Sequence, residues 1–382
     1  MNITDGLPEM YEKNLKKISL VVLTFLAYAT ACVINSILPD KYFFDANRVN
    51  SMVLKDGRMA AWDGSYVIAA DFFRAINVLD LTTIMEWSIV LGLIGTIVVA
   101  FFLFDSMELS LLEELFWLMS IVLLNIYTLN ICKDFIQFFF YVVILLVVMF
   151  AAFPTPLRLV LICAVLIIEG LGFRSYYMLV AVFFLMLYVI VTRFNCKSFG
   201  KVMLWSVLGC VVFVIAAYVI LPAQYAELAT ARTGVNDSRE FDANANSMIN
   251  NAIPGTSLGA TIVNFPINVV RLLFPVEMMI RGPLYLMFFV YQLILDYLLY
   301  RSAKQLLSNR PVNRVGAMLI ALYLAFVITC SFFEPDFGSW LRHEVTAFPV
   351  YQALFFSRQA QSLAATQPMR SLRGVAVQPL AI

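Results

Sequence analysis

Val315–Phe333 reads VGAMLIALYLAFVITCSFF, an uncharged apolar run, and is followed at once by Glu334–Glu344, EPDFGSWLRHE. A run of this length is enough for a helix to cross a bilayer. The segment after it gathers Glu334, Asp336, Arg342, Glu344 and the single histidine, His343, before apolar sequence resumes. Charges at the mouth of a membrane helix are costly to keep, so they mark functional positions.

The rest of the chain repeats the first half of this pattern. Of its 382 residues 62% are hydrophobic and 13% charged, against about 25% charged in soluble domains. About ten apolar runs have spanning character: 18–38, 86–104, 111–130, 135–153, 157–171, 175–192, 202–221, 283–300, 315–333 and 344–357. The fold class expected is an all-α polytopic membrane protein, a single integral domain over 1–382. The fifth and tenth runs are short and read as tilted, broken or re-entrant. The first, behind Lys13, Lys16 and Lys17, lacks a small-residue cleavage site and reads as an anchor that stays. The six cysteines, Cys32, Cys132, Cys163, Cys196, Cys210 and Cys330, show no CxxC or Cys/His spacing, so a zinc site is not expected. A net charge of +1 gives no reason to invoke nucleic acid.

Lysine and arginine in short loops set the orientation. Lys13, Lys16 and Lys17, then Arg158, then Arg193, Lys197 and Lys201, then Arg301, Lys304, Arg310 and Arg314 all fall on one side of a ten-span chain. The tail, 358–382, adds Arg358, Arg370 and Arg373. That side is expected to be the cytoplasm, with both termini there. The link DSMELSLLEE, Asp105–Glu114, carries no basic residue and argues for neither side.

Two long loops, 39–85 and 222–282, then face outward. In the first, Phe43, Phe44, Val49, Met52 and Val53, and again Tyr66, Ile68, Phe72, Phe73 and Ile76, recur at helical spacing, as in helices that lie in a membrane interface. Asp45 and Arg48 there read as a solvated i,i+3 pair. The second loop opens on a polar, Asn-rich stretch from Arg232 to Asn251 and turns apolar around Pro254, Gly255 and Gly259.

Four polar groups converge on the outer side: Lys133 and Asp134; Arg174 with Ser175, Tyr176 and Tyr177; Arg232, Asp237, Arg239, Glu240, Asp242, Arg271 and Arg281; and Glu334, Asp336, Arg342 and His343. Basic residues held in outer loops oppose the usual topological bias, and a bound polyanion would offset that. Guanidinium pairs bidentately with phosphate, and helix starts offer free N–H groups. Lys133, Arg174 and Arg342–His343 each read as standing at a helix start, a phosphate cradle. The bland readings are an interfacial Lys133–Asp134 pair, a snorkelling Arg174, an aromatic belt of tyrosines, a structural His343 and a solvated Glu334–Asp336 turn.

The FRSYY segment (Phe173–Tyr177), the EPDFGSWLRH loop (Glu334–His343), KYFFDANRVNSM (Lys41–Met52) and CKDFIQ (Cys132–Gln137), set among about ten spans with long outer loops, resemble bacterial polysaccharide polymerases of the Wzy type. A looser likeness runs to O-antigen ligases and other C-class membrane glycosyltransferases, and the resemblance covers most of the chain. It implies membrane helices capped by outer-loop helices over a lipid-facing cavity, in a bacterial inner membrane. It implies an undecaprenyl-diphosphate-linked oligosaccharide as donor and a second lipid-linked saccharide as acceptor, with a chain-length regulator and a flippase as candidate partners. By position the family's outer-loop arginines and the ligases' histidine map onto Arg174, Arg342 and His343.

No GxGxxG, P-loop or DxD triplet suggests a nucleotide-sugar site, and neither cofactor nor metal is expected. Arg342 and Arg174, assisted by Lys133 or Arg271, would stabilise the leaving diphosphate. His343, Glu334 or Asp336 would serve as general base. Asp134, Tyr176 and Tyr177 complete the expected binding set. The alternatives are a flippase for lipid-linked sugar, whose path charges Glu169 and Asp296 would line, an O-antigen ligase, and a polyprenyl-phosphate-sugar transferase, for which Asp40 and Asp45 would be the acidic pair.

Overall fold

The computed structural model describes residues 7–102, 109–194, 198–239, 247–308 and 312–357. Glu240, Asp242, Cys196, Lys197, Arg310 and the tail arginines lie outside these residues. The described chain is helical, without a named strand.

Every apolar run forms a helix: α1 (Leu7–Ile37), α4 (Ile84–Phe101), α5 (Leu111–Tyr127), α6 (Lys133–Met149), α7 (Thr155–Gly172), α8 (Tyr177–Arg193), α9 (Phe199–Ile220), α13 (Pro283–Ser308) and α14 (Arg314–Phe333). The last run is divided into α15 (Phe337–Thr346) and α16 (Phe348–Phe356). The first long loop holds a 3-10 turn (Asp40–Phe43), α2 (Phe44–Leu54) and α3 (Gly64–Ile76); the second holds α10 (Pro222–Arg239), α11 (Leu258–Leu273) and α12 (Val276–Met279). Starts follow capping chemistry. Thr83 with Glu86, and Ser110 with Glu113, close capping boxes at α4 and α5, while Asn313 and Asp336 accept from the first turns of α14 and α15.

Five of these helices are long and apolar enough to cross a membrane on their own: 14–37 within α1, then α4, α7, α9 and α14. At 17 residues, α5, α6 and α8 reach about 25 Å at 1.5 Å per residue, short of the roughly 30 Å hydrocarbon core. The fifth run is therefore a full-length helix, not a short one. The tenth is broken, because Pro349 in the first turn of α16 has no N–H to continue α15.

Pairings between helix ends show that the long elements alternate in direction. Glu113 at the start of α5 meets Arg301 near the end of α13, and Arg314 opening α14 reaches Thr155 opening α7. At the other end, Thr128 after α5 meets Thr346 closing α15 (3.0 Å), and Asn35 of α1 donates to the Asn125 carbonyl (3.1 Å). The loop helices α2, α3, α10 and α11 gather at this second end. Arg301 and Arg314 sit together at the opposite one, as the charge pattern requires.

α14 is the axis. All of its apolar window is buried inside the protein, against 17% for that of α1. α8 lies along it, and α16 is buried throughout as well. The peripheral helices carry outward apolar side chains instead, Val22 and Leu26 on α1, Ile94 and Ile97 on α4, Val212 and Val219 on α9, the surface a bilayer covers. Two glycines bring α4 against its neighbours. A Cβ on Gly92 would stand 2.5 Å from Asn125 Oδ1, and one on Gly95 would enter the Leu129 side chain, the small-residue contact that lets membrane helices approach closely.

Candidate functional site

The site is built at the end where α5 and α14 finish and α6 and α8 begin. Asp134, in the first turn of α6 and wholly buried, is its centre. Its Oδ1 accepts from Arg174 Nη2 at 2.5 Å, and its Oδ2 lies 3.1 Å from Arg342 Nε. The second contact is Coulombic and lacks the alignment of a hydrogen bond. His343 Nε2 stands 3.8 Å from Oδ1. The start of α6 adds the positive end of its dipole.

Arg342 also holds Asp45. Its Nη1 donates to Asp45 Oδ2 at 2.7 Å, and Tyr66 Oη donates to Oδ1 at 2.5 Å. Burial alone would push the Asp45 carboxyl up, but the Arg342 guanidinium, helped by Tyr66, holds it below the ordinary carboxylate value. The i,i+3 reading of Asp45 and Arg48 is thus corrected. Both are buried, and Arg48 turns away to lie 3.9 Å from the Trp62 ring centre and to donate to the Ala60 carbonyl. Their side chains diverge because α2 packs into the site instead of floating on its surface.

His343 pairs on its other side with Glu334, Nδ1 to Oε2 at 3.0 Å. Glu334 is fixed through its backbone by Arg232 of α10. Nε donates to the Glu334 carbonyl (2.8 Å) and Nη2 to that of Ser331 (2.7 Å), so a cation closes the C-terminus of α14. Burial pushes the Arg232 guanidinium down to about 10 against the pull of Glu334, which leaves it charged at neutral pH. Arg232 therefore serves the site from behind.

Lys133 opens α6 and lies beside Asp134, but its partners are Asp63 (3.8 Å) and the face of Tyr66 (3.7 Å to the ring centre). Arg174, in the turn before α8, also donates to Tyr176 Oη (2.9 Å). Tyr176 stacks on Phe333 at 4.1 Å between centroids, so it is packed and not part of an interfacial belt. Tyr177 is fully buried below, its hydroxyl taken by Gln137 and by Tyr141 (3.0 Å).

Four expected residues are placed differently. Arg342 and His343 do not stand at a helix start: Asp336 caps α15 so that it begins at Phe337, and no free N–H groups accompany them. Asp336 itself accepts from Ser339 N at 2.8 Å and lies in a short bridge with Met248. Arg271 is held by Glu277 (2.6 and 2.9 Å) and the Asn250 carbonyl (2.5 Å); these contacts keep it off Asp134, Asp45 and His343.

The assembled group carries Asp45, Asp134 and Glu334 against Arg174 and Arg342, flanked by Lys133 with Asp63. Side-chain exposure separates the two arginines: 9% for Arg174 and 27% for Arg342. Arg174 orients Asp134 from within, and Arg342 is the guanidinium with an edge open to an arriving anion. With Nδ1–H donated to Glu334, the His343 imidazole keeps its Nε2 lone pair, and the Asp134 carboxylate, 3.8 Å away and itself an acceptor, makes no hydrogen bond with it. Among the described residues no group of His, Cys, Asp and Glu is arranged to hold a metal ion. No family model matches this chain, and comparison with curated proteins and with solved structures gives no match.

Proposed function

We propose that the chain is a membrane glycosyltransferase of the polysaccharide-polymerase kind, joining undecaprenyl-diphosphate-linked oligosaccharides at the outer face of a bacterial inner membrane. The observation that carries this reading is the pairing of His343 with Glu334 beside an arginine, Arg342, that is half-satisfied by carboxylates and partly open.

His343 Nε2 takes the proton of the acceptor hydroxyl while Glu334 holds Nδ1–H and stabilises the imidazolium. The acceptor oxygen attacks the anomeric carbon, the bond from that carbon to the diphosphate breaks, and the electron pair leaves on the diphosphate oxygen. Arg342 neutralises the developing charge, with Lys133 next to it. Arg174 and Asp134 keep Arg342 and His343 in register. The collection of these charges at one end, where Glu169 in the last turn of α7 lies within electrostatic reach of Arg174 and Asp134, with Asp296 apart from them midway along α13, favours surface chemistry over a flippase path.

A second reading, transfer from a polyprenyl-monophosphate sugar, gains from Asp45, which the first outer loop delivers into the site. Asp40 is exposed in the turn before α2, where its backbone carbonyl accepts from the Asn47 side chain.

Purified protein in detergent, given only undecaprenyl-diphosphate-linked repeat units and EDTA, is expected to yield longer glycans. A flippase lengthens nothing under those conditions, and a monophosphate-sugar transferase requires its own donor. Unlengthened glycan with the cognate repeat and folded protein would overturn the polymerase reading.

A further inference from the structure

The candidate site uses one face of α15. The residue after His343 turns the other way, into the bundle. The Glu344 carboxylate is wholly buried. Its Oε1 accepts from Gln292 Nε2 of α13 and from Tyr323 Oη of α14, each at 3.2 Å. The same Gln292 amide donates to Asp296 Oδ1 one turn along α13, at 3.3 Å. Two acidic side chains from different helices thus share one amide nitrogen.

Nothing balances their charge. Among the described residues neither Glu344 nor Asp296 forms an ion pair with a lysine, arginine or histidine. Facing them are Tyr291 of α13, Tyr323 and Cys330 of α14, Tyr351 of α16, and Ser120 of α5, whose hydroxyl lies 3.3 Å from that of Tyr291. Glu344 Oε2 and Asp296 Oδ2 have no hydrogen-bond partner. The Tyr351 hydroxyl, on a side chain 1% exposed, also has none, and Glu344 is its foremost electrostatic neighbour. An ionised carboxylate in such surroundings is strongly disfavoured, and two sharing a site cannot both ionise. A cation belongs here. The unused oxygens are too few for the six or more that a hard metal ion takes, and the described residues hold no metal-binding group. A proton needs a single lone pair.

We propose that Glu344, Gln292 and Asp296 form a buried proton-binding site, with Glu344 carrying the proton at neutral pH. The site is independent of the glycosyl-transfer reading. It ties α15 to α13 and α14, and α15 bears Arg342 and His343 on its opposite face. Loss of the proton places a second negative charge beside Asp296 and pushes α15 away from α13.

Infrared spectroscopy of the purified full chain in detergent at neutral pH tests this. A protonated-carboxyl C=O band is expected, and Glu344→Gln should remove one carboxyl's worth of its intensity while the thermal midpoint stays unchanged, since a neutral amide replaces a neutral acid. Tyr323→Phe, which deletes one hydrogen bond to Oε1, should shift the same band and guards against a Glu344→Gln variant that fails to fold. The proposal is overturned if Glu344→Gln instead removes ionised-carboxylate absorption, or if Tyr323→Phe leaves the protonated band unmoved. It is also overturned if added sodium ions raise the midpoint of the native chain but not of Glu344→Gln, which would make the bound cation a metal.

Discussion

Arg342 reaches 297 positions back along the chain to place Nη1 2.7 Å from Asp45 Oδ2, while its Nε lies 3.1 Å from Asp134. One planar side chain thereby fastens the first long loop to the bundle. It is also the group the proposed mechanism needs for an incoming diphosphate, so Asp45 occupies a position that a phosphate oxygen would take.

Replacing Asp45 with Asn should therefore act in two directions. The fold should lose about 1.5–3 kcal/mol, the range for a hydrogen bond to a charged group, seen as a lower thermal midpoint. Binding of the lipid diphosphate, measured by quenching or calorimetry, should tighten. Weaker binding in a folded Asp45→Asn variant would mean that Asp45 supports the anion site instead of filling it.

The fork of Arg342 matters more than its charge. Arg342→Lys should be nearly as damaging as Arg342→Ala, because an ammonium is a point charge and cannot serve Asp45, Asp134 and a phosphate from one plane. Glycan length in cells at equal expression reports this; normal polymer from the lysine variant would remove the bidentate role.

In the proposed mechanism His343 and Glu334 divide the base function. His343→Ala should cut turnover by roughly 10²–10⁴, the usual contribution of a positioned base, while donor binding changes little. Glu334→Gln should fall short of that loss and move the pH–rate profile, since the amide still meets Nδ1–H but no longer stabilises imidazolium. Equal loss of donor binding in His343→Ala would reassign it to recognition.

Acid should loosen the first long loop. Asp45 is held below its ordinary value in the folded chain, so its ionised form adds stability above about pH 4, and that stability is lost as pH falls through the folded-state value. Between about pH 5 and pH 3 the native thermal midpoint should fall more steeply than that of Asp45→Asn. Parallel curves would show that the pair contributes nothing.

Sidedness is open to direct measurement. A cysteine at Ser175, which is exposed beside Arg174, should react with an impermeant thiol reagent added from the periplasmic side. Labelling from the cytoplasmic side alone would sink the outer-face reading of the site.

Much of this was legible in the chain. Apolar runs became helices because a backbone in an apolar setting must satisfy its own hydrogen bonds, and Glu334 with His343 met because nine residues of turn and helix bring them together. Asp45 was not legible as a site residue. At the level of local spacing it belongs with Arg48, and only packing of α2 against α6 and α15 sends the two apart. Arg232 stood in a polar stretch whose composition suggests solvent, yet it is buried against the end of α14, since a helix terminus there needs a donor that sequence spacing does not name. The displaced start of α15 has a simple cause: the apolar pattern marks where side chains turn inward, whereas Asp336 marks where the backbone begins to coil.

The complete enclosure of α14 has a bearing on how the molecule is made. The helix lying along it, α8, leaves the ribosome more than a hundred residues earlier, at 177–193 against 314–333. Until α14 follows, the faces that will enclose it meet lipid or one another. The early helices must therefore tolerate a provisional arrangement and reopen to admit a late arrival. A ribosome halted after Ser308 would leave a shell without its axis, and the turn that carries Glu334 and His343, with the buried α16 behind it, would still be to come. Completion of the bundle and assembly of the charged cluster around Asp134 thus coincide in time.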